Sequence, residues 1–233
     1  MSQYPCYKFE SLLNLFSKRN IKITTVKNSS TIKENDTLTL TFDDGLESVY
    51  TNALPILEKF GYKATIFCVP GYSGKKADWD IYSGNAHLTE NMIFELSKLG
   101  HEIGSHTVSH ACLPYLNDTD LIYELKKSKE ILENITGQEV TSISFPHGSW
   151  NTRVWRSAQK AGYRKGTVYR KYSKIPQDLL PVYGVYKFDQ PADIFERIFA
   201  PKFSISLTTA ILMSQFARGT QIWKFRKNYS LFP

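Results

Sequence analysis

Hydrophobic and polar residues alternate with a period of two over residues 37–42. Leu38, Leu40 and Phe42 fall on one face, and Thr37, Thr39 and Thr41 on the other. Such alternation, rich in β-branched and aromatic side chains, predicts a strand. An apolar run at 63–69, stopped by Pro70-Gly71, predicts a buried strand, and shorter segments at 21–26, 102–105, 140–145 and 162–169 read the same way. Between them the apolar spacing becomes helical. Residues 7–16 carry Phe9, Leu12, Leu13, Leu15 and Phe16 and run into Lys18-Arg19, an amphipathic helix with a basic last turn. Further helices are expected over 49–60 before Gly61, 89–99 with Thr89 as cap, 117–135 before Gly137, and 152–161. Pro55 implies a kink in the second of these, or a start near Asn52. Residues 27–36 and 72–87 read as loops.

Strand and helix therefore alternate at least four times with short connections, which implies a parallel sheet. For one domain spanning 1–233, the α/β pattern predicts a barrel. In such a barrel, reactive groups gather where strands end. The first alternating strand ends in Asp43-Asp44-Gly45. The segment 102–105 leads into His106-Thr107-Val108-Ser109-His110, and 140–145 into Pro146-His147-Gly148. Histidines four apart share one face of a helical turn. With one of the two aspartates they make a three-ligand set for a divalent metal with an open position, leaving the second carboxylate free to act as a base. Alone, Asp-Asp-Gly is an ordinary turn; its pairing with two histidines at another strand end is what makes it specific.

Composition narrows the setting. Hydrophobic residues make up 42% and charged residues 22%, ordinary for a globular protein. Cys6, Cys68 and Cys112 form no disulfide pattern and fit a reducing compartment. Residues 1–20 lack a basic region followed by an apolar core, and no apolar run approaches 18 residues, so the expectation is cytoplasmic. Of the net charge of +7, the tail 201–233 carries five basic residues (Lys202, Arg218, Lys224, Arg226, Lys227) and no acidic one. With Trp223 and Phe225 interleaved, that tail is a candidate for peripheral contact with the inner membrane, or else packs as a final helix with a solvated basic end. The charge lies outside any nucleic-acid motif, and no nucleic-acid partner is expected.

The residues Thr41 to Gly45 and Ser105 to His110 resemble the first two motifs of the polysaccharide deacetylase family (carbohydrate esterase family four, the nodulation-type deacetylase homology domain). The resemblance spans residues 37–169. It implies a distorted, incomplete (β/α) barrel of about seven strands. It also implies a hydrolase that removes an N-acyl group, here N-acetyl, from an amino sugar. By the same resemblance Asp44, His106 and His110 hold the metal, zinc first and cobalt, nickel or manganese as alternatives. Asp43 is then the base, and the 146–148 turn supplies an oxyanion N–H. The third motif departs from the family pattern, with Ser144 at the Arg position and His147 at the Tyr position, and no histidine follows His147. The general acid is then His147, Asp43 acting twice, or metal-bound water, with His147 favoured.

Pro146, Gly148 and Trp150 are the expected substrate-binding positions, and Trp79 a second candidate for stacking on a sugar. His101 is expected outside the metal's reach and His87 on the surface. With the cytoplasmic expectation, a lipid-linked or nucleotide-linked saccharide precursor in surface polysaccharide synthesis is the implied substrate. The alternatives are a saccharide-binding protein that keeps the metal without hydrolysis, and an amidohydrolase of a non-sugar C–N bond.

Overall fold

The computed structural model describes residues 4–29, 37–76, 85–169 and 175–199. The tail 201–233, Trp223 within it and Trp79 lie outside the described residues. Two strands open the fold: β1 (Lys22–Thr24) pairs in parallel with β2 (Thr37–Thr39). The predicted strand at 37–42 is interrupted at Leu40, beyond which it continues as β3 (Thr41–Phe42). The Leu40 carbonyl accepts the Thr65 N–H at 2.9 Å, so the chain exchanges one partner strand for the next without orphaning that group. β3 begins an all-parallel sheet with β4 (Thr65–Cys68), β5 (Glu102–Ser105), β6 (Ser142–Ser144), β7 (Lys165–Tyr169) and β8 (Leu179–Val182), hydrogen-bonded in that order. With β2 and β3 taken as one interrupted strand, this is a seven-stranded, distorted (β/α) barrel that hydrogen bonds do not close among the described residues.

The helices follow the predicted pattern. α1 (Cys6–Lys18) precedes the sheet, and α2 (Leu54–Lys59), α3 (Glu90–Lys98), α4 (Asp118–Thr136) and α5 (Thr152–Lys160) connect its strands. Capping side chains set three starts: Thr89, Asn117 and Asn151 each accept a backbone N–H three residues on. Ahead of α2 the chain makes a wide π-turn over Val49–Ala53. Pro55 has no N–H to give to an α-type bond, and the wider turn absorbs that loss. Residues 170–200 carried no expectation. Their described part supplies β8 and α6 (Pro191–Phe199). β8 includes Pro181, tolerated because this is an edge strand with one side unpaired.

Two apolar clusters hold these layers together. The larger one packs Ile66, Ile103, Ile143 and Val168 of the sheet against Leu96, Leu121, Leu125, Val154 and Trp155 of the helices. The smaller one reaches from Ile23 of β1 to Val185 just past β8, joined by Leu13 and Phe16 of α1 and Ile194 of α6. α1 and α6 therefore cover the unclosed side. A buried Arg197–Asp189 pair (2.7 and 3.0 Å) and a Lys8 hydrogen bond to the Asp189 carbonyl (3.1 Å) fix the two helices to each other. At the opposite pole from the strand ends, fully buried Val26 closes the barrel floor. Its N–H donates to Thr65 Oγ1 at 2.9 Å, and its carbonyl accepts from Lys165 Nζ at 3.2 Å.

Candidate active site

Three strand ends converge. After β3 the chain turns through Asp44 (φ 70°) and Gly45 (φ 59°). A Cβ at position 45 would stand 3.0 Å from Cys68 Cα, so this turn needs glycine for space as well as for conformation. The turn sends the Asp44 carboxylate inward and leaves Asp43 facing the cleft. His106 leaves β5 with its N–H on the Cys68 carbonyl at 2.8 Å.

The expected helical turn from His106 to His110 does not form. Thr107 (φ 66°) and His110 (φ 59°) are left-handed, and this kinked loop brings the two rings within 5.0 Å, centroid to centroid. Buried Glu124 of α4 holds the loop by accepting the N–H groups of Val108 and Ser109 (2.8 and 3.0 Å) and the Ser109 hydroxyl (2.6 Å). Nothing in the sequence marked Glu124, which sits among several exposed charges of α4.

The ligand atoms of Asp44, His106 and His110 lie within 4.8 Å of one another, and all three residues are buried. Asp44 Oδ1 stands 3.5 Å from His106 Nε2 and 3.3 Å from His110 Nε2. His106 Nδ1 donates to the Ser144 carbonyl at 2.8 Å, since that oxygen can only accept. With Nδ1 engaged in this way, Nε2 faces the Asp44 carboxylate, and the pair needs a positive charge between them, either a proton on the ring or a metal ion in its place. Ligand bonds of about 2.1 Å place tetrahedral donor atoms about 3.4 Å apart. The three residues therefore fit a divalent metal.

Electrostatics agrees with that geometry. Burial alone would raise the Asp44 carboxyl, but the hydrogen bonds and charges of His106 and His110 win and hold it well below the usual carboxylate range. Burial opposes charge on His106, yet Asp43, Asp44 and the Ser144 carbonyl outweigh it and raise the imidazole. Asp43 shows solvent-accessible surface to the cleft while the surrounding protein desolvates it, as happens on a concave floor. That desolvation is the largest effect and, with the Asp44 charge, raises Asp43; His106 and a hydrogen bond from Ser144 pull the other way. Ser144 thus touches two residues of the site, its hydroxyl on Asp43 and its carbonyl on His106.

The third strand end brings Pro146, His147 and Gly148. His147 is left-handed (φ 59°), and its ring meets His110 edge to face at 4.5 Å. Gly148 (φ 60°) lies against Tyr169 at the end of β7, where a Cβ would come 2.2 Å from Tyr169 Cδ2. Burial, followed by the charges of Asp43, Tyr186 and Asp44, raises the Tyr169 phenol, which places it beside the site without any sequence signal. Trp150 is half-buried and stacks on Phe145 (6.3 Å, 24° between planes). His101 precedes β5, far along the strand from the ligands, and its Nδ1 accepts the Ala64 N–H at 3.2 Å. His87 corrects the expectation: it is 2% exposed, with Nδ1 2.8 Å from the Asp44 carbonyl oxygen. Cys6, Cys68 and Cys112 are free thiols. Among the described residues no helix is long and apolar enough to cross a membrane.

Comparison with known proteins points the same way. The Bacillus subtilis protein YxkH is 37% identical over 127 residues, which are 54% of this chain and 42% of that one. A peptidoglycan-N-acetylglucosamine deacetylase of Bacillus cereus is 29% identical over 142 residues, 60% of this chain and 59% of its own. The chain thus spans less than two thirds of the length of these curated relatives. The Streptococcus pyogenes deacetylase PplD, solved in complex with acetate, superposes with a TM-score of 0.71 at 20% identity, over 84% of this chain and 87% of its own, a likeness of fold alone. The family model described as polysaccharide deacetylase matches residues 30–166, more than half the chain and all three strand ends, and the chain belongs to that family.

Proposed function

We propose that this chain hydrolyses the N-acetyl group of an amino sugar within a saccharide. The observation that carries the proposal is the buried Asp44–His106–His110 cluster with Asp43 beside it on the cleft floor. A divalent metal held by those three residues, zinc being the closest match to two imidazoles and a carboxylate, supplies a Lewis acid for the amide carbonyl and acidifies water. Asp43 takes the proton of the attacking water, and the Ser144 hydroxyl fixes the orientation of its carboxylate. The turn through Pro146 and Gly148 presents the His147 backbone N–H to the developing oxyanion. The His147 side chain then hands a proton to the departing amine, the place left open by the absence of any later histidine. Trp150 forms an aromatic wall for the sugar beside this turn.

The relatives' names extend from chitin to peptidoglycan deacetylases. The test is therefore acetate release from a panel of chitin oligomers, peptidoglycan fragments, and nucleotide-linked and lipid-linked N-acetyl sugars. Wild type reconstituted with zinc is run beside Asp43→Asn and His106→Ala. Asp43→Asn is expected to slow release by about 10²–10⁴ while still binding metal; His106→Ala is expected to lose both. Metal uptake without release from any member of the panel would overturn the hydrolase. It would favour a metal-retaining saccharide binder, the second reading that the missing late histidine supports.

A further inference from the structure

The turn that carries Asp44 is clamped by a second segment of chain. Leu46 and His87 form an antiparallel bridge. The Leu88 N–H donates to the Gly45 carbonyl at 2.8 Å, and the Glu47 N–H to the Ala86 carbonyl at 2.9 Å. Between these two bonds, His87 Nδ1 reaches the Asp44 carbonyl at 2.8 Å. That oxygen can only accept, so Nδ1 carries the proton. The His87 ring is buried and tilted against Tyr72, 5.7 Å between centroids.

Asp44 adopts a left-handed backbone that side-chain-bearing residues seldom take. Its own carboxylate is directed at two histidines and cannot hold that turn. A bond to its carbonyl fixes the plane of the next peptide, and through it the direction of the Asp44 Cα–Cβ bond. We propose that His87 is a positioning residue of the metal centre, its Nδ1–H holding the left-handed turn that aims Asp44 Oδ1 between His106 and His110. This rests on the metal-binding reading of those three residues. Partners one bond removed from a metal ligand typically change metal affinity 10- to 100-fold.

The experiment uses the full chain and Co²⁺ alone, read by the visible absorption bands of the bound ion during titration. Three variants are compared with wild type: His87→Asn, His87→Gln and His87→Leu. Asparagine sets an amide N–H close to where Nδ1 stands, whereas glutamine carries the same group one carbon further out. His87→Asn is expected to bind Co²⁺ within about threefold of wild type, and His87→Gln and His87→Leu about 10- to 100-fold more weakly. The metal-free Asn and Gln proteins are expected to melt together, which separates positioning from general stability. If His87→Leu fails to fold, the Asn–Gln pair still decides. Equal affinities in that pair, both tight or both weak, would overturn the role of His87 and leave the metal centre standing. A wild type that takes up no Co²⁺ would overturn the metal centre and this inference with it.

Discussion

Gly71 offers the sharpest test of how the histidine loop is held. It follows β4, and its N–H donates to the Val108 carbonyl at 3.0 Å, midway between His106 and His110. A Cβ on residue 71 would stand 2.4 Å from that oxygen and 3.1 Å from Val108 Cγ1. Real Cβ contacts stay beyond 3.0 Å, so Gly71→Ala must open about 0.6 Å, just above the roughly 0.5 Å within which a functional constellation has to be held. Neither side yields freely. Glu124 grips Val108 from behind at 2.8 Å, and Tyr72 N–H ties the Gly71 turn to the Val69 carbonyl at 3.0 Å.

If the loop takes half of that movement, both imidazoles leave their positions together. A misplacement of about 1 Å costs about 10²-fold, so about 0.3 Å should weaken Co²⁺ binding and slow acetate release by about fourfold each. Overpacking of this kind costs roughly 1–3 kcal/mol, and for a chain of this size that lowers Tm by about 2–12 °C. Gly61→Ala is the control. Gly61, unlike Gly71, is left-handed (φ +67°) and has nothing within 4 Å of its Cβ position. It should lose some stability and no metal affinity. A Gly71→Ala protein with wild-type Co²⁺ affinity and an unchanged Tm would refute the claim that this contact sets the loop.

Ser144→Ala removes the hydroxyl on Asp43 and keeps the carbonyl on His106, so turnover should fall roughly 10- to 100-fold with Co²⁺ affinity unchanged; a matching loss of affinity would assign its effect to His106 instead. Gly148→Ala should abolish acetate release through collision with the Tyr169 ring, and a second change, Tyr169→Ala, should restore stability in part but not fully, because the left-handed backbone at 148 persists; no recovery at all would show that the ring is not the obstacle. Burial, then the Lys63 charge, pulls His101 from 6.5 down to about 4, so below pH 6.5 the unfolded chain binds a proton that the native state refuses. Stability should therefore be complete above pH 6.5 and be lost as pH falls toward 4, by at most about 3 kcal/mol. Urea unfolding at pH 7 and pH 5 checks the sign: a wild type that loses no more than His101→Gln between the two would refute it.

Much of the fold was legible because its signals are local. Period-two alternation placed β2 and β3, apolar runs placed β4 and β6, and Thr89 and Asn117 cap the helices they were expected to start. The break at Leu40 was not legible, because it reflects an exchange of neighbours rather than a change in the chain's own pattern. β8 escaped notice because it is short, contains a proline and owes its conformation to pairing with β7. His87 read as a surface residue because it sits between loop-forming residues, and its burial comes from the Asp44 turn, more than forty positions away. Glu124 looked like any solvated charge of an amphipathic helix, and only the loop folded over it makes it a ligand for two N–H groups.

What hid the site's geometry also identifies it. Five non-glycine residues have positive φ among the described residues: Asn20, Asp44, Thr107, His110 and His147. Asn20 closes α1, where such a conformation is ordinary. The other four lie in the three loops that meet at the candidate metal centre, and Thr107 is β-branched, which makes its conformation the costliest of the set. Sequence patterns predict what a segment prefers, and at these positions the chain does what its residues do not prefer. A helical turn would have satisfied His106 and His110 locally with both side chains parallel on one face. The left-handed loop instead turns both Nε2 atoms toward one carboxylate oxygen, an arrangement that lasts only because Glu124, Ser144 and the Gly71 turn restrain it. Local preference was given up at the points where three strand ends bring their side chains to one place, and the hydrogen bonds around those points are where substitutions should be felt first.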